Sequence, residues 1–209
     1  MSRLLQITLL LLLCIALIVS SGCRRRKEAE PPPLPEALKE YQGREPRLKV
    51  YQHESGAVTE MDFEDYIAGV VAAEMDPQWP ESALGAQAII ARTFTLQKIK
   101  ENGGLPDRNA HASTDFKEFQ AYSAARINER VRKAVEKTRG KVALYEGDYI
   151  KGWFHAYAGP RTALPDEGLE YKGENPPYIQ IVDSPAEKII PAEEKNWSAS
   201  FSLAQVQAA

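Results

Sequence analysis

This 209-residue chain is poor in cysteine and histidine and has no strong excess of either charge. Its two cysteines, Cys14 and Cys23, allow no disulfide framework and no cysteine-based zinc site. A net charge of −3, with no basic stripe, excludes a dedicated nucleic-acid binder, which carries a basic balance. The sequence has no glycine-rich phosphate loop, no nucleophile elbow and no HExxH, so those chemistries have no residues to carry them. Its longest apolar run, Leu4 to Val19, falls short of the roughly 20 residues that a membrane span needs. What is present is an ordinary globular composition, 44% hydrophobic and 26% charged, which rules out wholesale disorder, collagen and coiled coil. The length fits one domain, or one domain with appendages.

The first fifty residues differ from the rest. Arg3, the apolar run LLQITLLLLLCIALIV and the small residues Ser20, Ser21 and Gly22 read as a signal peptide over residues 1–22. Cys23 stands where a bacterial lipoprotein is cleaved and acylated, although Ser20 occupies the place where leucine is more usual. Plain secretion and an uncleaved anchor are the other two readings. Loss of Cys14 and acylation of Cys23 would leave a mature chain without a free thiol, which suits an oxidising, extracytoplasmic compartment. Residues 23–46 then read as a tether, with Arg24, Arg25 and Arg26 followed by the polyproline spacer Pro31, Pro32 and Pro33. The arginines either rest on anionic headgroups or form a solvated charge cluster.

The folded part is expected over 47–209. LKVYQHE and AVTEMDF alternate as half-buried strands do, with Ser55-Gly56 as the turn between them. A helix follows over DFEDYIAGVVAAEM, with Asp62 as its cap and Glu64 and Asp65 on a wet first turn; Pro77 stops it. Pro80 opens a second, alanine-rich helix that ends at Asn102-Gly103-Gly104, and a third spans Ala124 to Arg139. Two strands are expected in KVALYEGDYIKGWFHAYAGP and another at Tyr178 to Val182. The order predicts an α+β fold, helices packed with short antiparallel sheets and the glutamate-bearing helix beside a groove. Ser202 reads as the cap of a short helix, and the natural domain is expected to continue past Ala209.

Glu74 is the most informative residue. At 3.6 residues per turn it shares a face with Ile67, Val70 and Val71, at spacings of seven, four and three. One reading is a carboxyl whose pKa is raised by apolar walls, as a general acid requires. The other is a carboxylate at a helix end, partly exposed or paired with an arginine such as Arg92. Alternation places Trp153, His155 and Tyr157 on one strand face, either a sugar-stacking trough or an ordinary core. His111, near Asp107 and Asp115, lacks the three or four converging ligands of a metal site.

The run EDYIAGVVAAEMDPQWPESALGAQAIIARTFTL resembles the stage II sporulation protein D family, which includes amidase enhancers. The resemblance is carried by Ala83, Leu84, Ala86, Gln87, Ala88, Ala91, Arg92 and Thr93, then by Gln120 and Tyr122, and more weakly by Phe154, His155, Gly159 and Thr162. It implies peptidoglycan as substrate, lytic transglycosylation as the reaction and Glu74 as the catalytic acid. Substrate contacts would come from Gln87, Arg92, Gln120, Tyr122, His155 and Thr162. It implies no cofactor, because Glu118 and Phe119 occupy the neighbourhood where some members bind zinc. Departures occur at Gly159-Pro160, where Gly-Gly is usual, and at RTALPDEGLEYKG, which replaces a tryptophan-bearing loop. The expected partners are glycan strands, a membrane through the lipid anchor, and a cell-wall amidase. The alternative is a wall-binding protein that recruits or stimulates an amidase without cutting glycan, and a blander one is a structural lipoprotein with a vestigial groove.

Overall fold

A computed structural model describes residues 33–196 and 198–207. The signal peptide at 1–22, the acylation site Cys23, the tether up to Pro32 and Trp197 lie outside the described residues.

The fold is α+β. Strands β1 (Arg47–Gln52) and β2 (Ala57–Asp62) form an antiparallel hairpin, with Arg47 opposite Asp62 and Gln52 opposite Ala57. Gly56 sits at φ +71, a conformation that glycine adopts without strain, and its N–H donates to Gln52 O to close the turn. Leu48 and Val50 point into the core, whereas β2 lies along the outside and leaves Val58 exposed. A third strand, β3 (Ala112–Ser113), pairs with β1 on its other side in parallel. The sheet is therefore mixed, not antiparallel as expected. The chain reaches β3 through a long crossover of two helices and so arrives running in the direction of β1.

Those helices are α1 (Phe63–Glu74) and α2 (Glu81–Asn102). Helix α1 was expected to have a wet first turn at Glu64 and Asp65, of which only Asp65 is exposed; the helix lies at the centre of the molecule, between the sheet, α2 and helix α3 (Glu129–Lys137). Phe63, Tyr66, Ile67, Val70, Val71 and Ala72 are all buried. Glu64 is buried with them, which overturns its placement on a wet turn. Asp62 occupies the cap position but makes no capping bond; it pairs with Arg47, and Glu45 Oε1 accepts the Glu64 N–H instead. Pro80 starts α2, whose buried stripe runs through Leu84, Ala88, Ala91, Leu96 and Ile99 to a left-handed cap at Gly103. Helix α3 begins at Asn128, whose Oδ1 accepts the Val131 N–H at 2.9 Å. The stretch before it, Ala124–Arg126, is a separate 3-10 turn, so the third helix is shorter than expected.

The folded part also starts earlier than Arg47. A 3-10 turn at Glu36–Tyr41 packs on α2 and buries Leu38 completely, with Leu34 and Tyr41 beside it. The expected boundary at 47 thus lies inside folded structure, which Leu38, Leu34 and Tyr41 dock on the core.

After α3 the regular elements shrink. Strands β4 (Leu144–Tyr145) and β5 (Asp148–Tyr149) pair as a short hairpin, and 150–183 is irregular apart from a helical turn at Pro165–Gly168. Of the strand expected through His155 only β5 forms, and Tyr178 to Val182 forms none; beside it stands a single bridge between Arg161 and Asp183. Near the end, Ser202 and Gln205 form a reciprocal cap: Ser202 N–H donates to Gln205 Oε1 at 2.8 Å, and Gln205 N–H donates to Ser202 Oγ.

Candidate active site

Glu74 is the last residue of α1, and its side chain is half-buried. Its Oε1 accepts the N–H of Ala121 at 2.8 Å. Burial pushes the carboxyl above its ordinary range, and the Ala121 hydrogen bond pulls part of the way back, because it favours the charged form. Arg92 is not its partner.

The segment around Ala121 is clamped from both helices. Gln120 is buried, and its Nε2 donates to Thr95 Oγ1 of α2 at 3.0 Å; the Thr95 hydroxyl in turn donates to Ala91 O. Lys98, also on α2, donates to Glu118 O and places its ammonium 4.8 Å from the centre of the Phe119 ring. Burial holds this amine below its ordinary range, partly offset by Glu118. Tyr122 stacks on Tyr66, with ring centres 5.8 Å apart and planes 11° apart. The Tyr66 hydroxyl donates to Ser113 O at 3.0 Å, which ties the aromatic pair to β3. Burial raises both phenols above their usual range, and Asp65 adds to the effect at Tyr122.

Gly69 makes this packing possible. A Cβ there would lie 2.0 Å from Tyr122 Cε2 and 2.5 Å from Cδ2, inside the ring's own volume. Ser123 N–H donates to Gly69 O at 3.0 Å, so the backbone of the segment rests on the same helical turn. A glycine in mid-helix is the sequence signal for such a close approach. The Ala121 N–H left no signal, since every residue except proline carries one.

Glu74, Gln120 and Tyr122 are thus brought together. Gln87 lies on α2, and its buried Nε2, like Gln120 Oε1, has no hydrogen-bond partner among the described residues. Arg92 is corrected from a substrate contact to a structural residue, being 1% exposed. Its guanidinium bonds both oxygens of Glu64 at 2.6 to 2.9 Å and also Val135 O and Thr138 Oγ1, joining α1, α2 and α3. His155 lies exposed in the irregular stretch, with no strand face there to build either the aromatic trough or the core; Trp153 packs edge-on against Tyr171. Thr162 Oγ1 accepts the Val182 N–H at 2.9 Å and serves a loop contact. Two clefts, of about 350 and 490 Å3, flank the Glu64–Arg92 pair, and neither includes Glu74. His111 Nδ1 accepts the Lys49 N–H and continues the sheet pairing. Among the described residues no group of three or more His, Cys, Asp or Glu is placed to hold a metal ion.

Residues 51–145, which hold the whole Glu74 cluster, match the family model described as stage II sporulation protein. The chain carries a stage II sporulation protein domain over these residues. It is 30% identical, over 74% of its length, to the stage II sporulation protein D of Bacillus amyloliquefaciens, of which it covers 49%. It is 32% identical over 54% of its length to an amidase enhancer of Bacillus subtilis (strain 168), of which it covers 14%. An uncharacterized protein of Brachyspira hyodysenteriae is 35% identical over 58% of this chain, which covers 32% of that protein. The chain spans at most about half the length of these relatives. The family match takes in Glu74, Gln87, Arg92, Gln120 and Tyr122 and leaves His155 and Thr162 outside.

Proposed function

We propose that this protein acts on the bacterial cell wall as a lytic transglycosylase, with Glu74 as acid and then base. The observation that carries the reading is a half-buried carboxyl, raised above its ordinary range, that accepts a backbone N–H at the end of a central helix. A raised pKa keeps the proton available near neutrality, and the Ala121 N–H then steadies the carboxylate once the proton has left. In the reaction Glu74 protonates the glycosidic oxygen as its bond to C1 breaks. The 6-hydroxyl of the same sugar bonds to C1, and the Glu74 carboxylate takes the hydroxyl proton. The products are a free sugar hydroxyl and a 1,6-anhydro end; no water is consumed. One carboxyl group serves both steps, so the paired carboxylates of hydrolytic glycosidases are not required.

Mass spectrometry of digested sacculi tests this. Wild-type protein should release anhydro-muropeptides, and Glu74→Gln should keep the fold and release none. Equal release by both would sink the proposal. The likeness to an amidase enhancer supports a second reading, a wall-binding protein that stimulates an amidase, under which Glu74→Gln would stimulate as well as wild type. In either case we place the protein outside the cytoplasm, anchored through an acylated Cys23; Cys23→Ser should release it from the membrane fraction.

A further inference from the structure

Helix α1 ends without the usual devices. Met75, just after it, is extended at φ −130 and ψ 160, with no left-handed glycine, and the last turn of the helix contains no basic residue. The final carbonyls of a helix have no partners within it, and their negative end of the dipole favours a cation. Another element supplies both. Arg126 sends Nη1 to Ala73 O and Nη2 to Met75 O, each at 3.1 Å. One guanidinium therefore bridges the carbonyls of the residues on either side of Glu74. Two residues on, Asn128 Nδ2 donates to Pro77 O at 3.1 Å while its Oδ1 caps α3. With the Ala121 and Ser123 bonds, residues 121–128 form a strap along the second half of α1.

We propose that Arg126 is a positioning residue for Glu74, its guanidinium fixing the turn from Ala73 to Met75 so that the carboxyl stays on the Ala121 N–H. The proposal rests on the reading of Glu74 as the acid and deepens it. The flat two-pronged guanidinium suits two carbonyls at once, which a single lysine ammonium does not. Arg126 is itself exposed, so its loss removes hydrogen bonds without opening a core cavity. The Tyr66 phenol on α1 couples to Glu74 electrostatically, and the Tyr122 phenol stacks on Tyr66 from the strap. Both phenols are held above their ordinary range and stay uncharged around neutral pH. Arg126 brings the positive charge to this turn.

The test follows the Glu74 carboxyl carbon by NMR titration in the full chain, the signal being assigned by its absence in Glu74→Gln. Arg126→Ala should move the Glu74 midpoint to higher pH, because the carboxylate then spends less time on the Ala121 N–H. Arg126→Lys should remain displaced, because it keeps the charge and loses the bridge. An unmoved midpoint in folded Arg126→Ala overturns the proposal. So does full restoration by lysine, which would assign the effect to charge alone. In glycan release, both variants should lose about 10- to 100-fold in kcat with KM unchanged, the scale expected for an ångström of misplacement. If wild-type protein releases no anhydro ends, the acid reading fails, while the titration still decides whether Arg126 positions the carboxyl.

Discussion

Gly69→Ala should reverse the usual sign of a glycine-to-alanine change in a helix. In an open helix interior, alanine is favoured over glycine by about 1 kcal/mol. At Gly69 the added Cβ would fall 2.0 Å from Tyr122 Cε2, 2.5 Å from Cδ2 and 2.7 Å from Cζ. Carbon atoms in contact want roughly 3.5–4.0 Å, so the ring must retreat by about 1.5 Å or more. Tyr122 cannot retreat alone, because it is stacked on Tyr66, and its neighbours Ala121 and Ser123 bond to Glu74 and Gly69. Overpacking of this kind costs about 1–3 kcal/mol, so with the propensity gain the net loss is about 0–2 kcal/mol. Each kcal/mol corresponds to about 2–4 °C in Tm for a chain of this size. The catalytic effect should be larger, since the same retreat draws the Ala121 N–H away from Glu74; we expect about a 100-fold fall in anhydro-muropeptide release. A double-mutant cycle with Tyr122→Ala isolates the cause. Once the ring is removed, Gly69→Ala should become stabilising by about 1 kcal/mol, its ordinary helical value. A Gly69→Ala penalty that persists unchanged in the Tyr122→Ala background would refute the argument.

Three further outcomes follow from the packing. Arg92→Met should cost about 3–5 kcal/mol by leaving Glu64 buried and unpaired, and the double variant Glu64→Gln, Arg92→Met should recover much of that loss in urea denaturation. Leu38→Ala should cost about 2–5 kcal/mol, measured by the same denaturation, if residues 36–41 belong to the fold, and nothing if they only tether it. The folded pKa of Glu74 lies above its unfolded value, so its contribution to stability is fully present below the ordinary carboxylate pKa and is lost as pH rises through the folded one. The Tm of Glu74→Gln should therefore gain on wild type as pH rises across that window, and the cleavage rate of wild type should fall on the alkaline side of it.

The helices were legible because their signals are local. Pro80 and Gly103 bracket α2, and Val131, Ala134 and Val135, all of them buried, form the stripe of α3, although its start at Asn128 was not read and the helix was expected from Ala124. Glu74 drew notice for the same reason, since Ile67, Val70 and Val71 lie at helical spacing from it and share its face. The strand expected through His155 stops at Tyr149 because alternation over a few residues says nothing about a partner strand, and among the described residues none pairs with it beyond β4. Arg92 was misread because a motif arginine looks the same whether its guanidinium meets a ligand or a buried Glu64.

The sequence alone therefore determined an α+β chain with three successive helices, a glutamate near the end of the first, and few residues suited to nucleotide, metal or nucleophile chemistry. Only the tertiary structure decided what surrounds that glutamate. Its hydrogen-bond donor comes from Ala121, 47 positions away, and its helix end is held by Arg126, whose bonds reach 51 and 53 positions. Helical periodicity reports which residues share a face within one element. It cannot report which backbone N–H, or which arginine from a later turn, the fold will bring against that face.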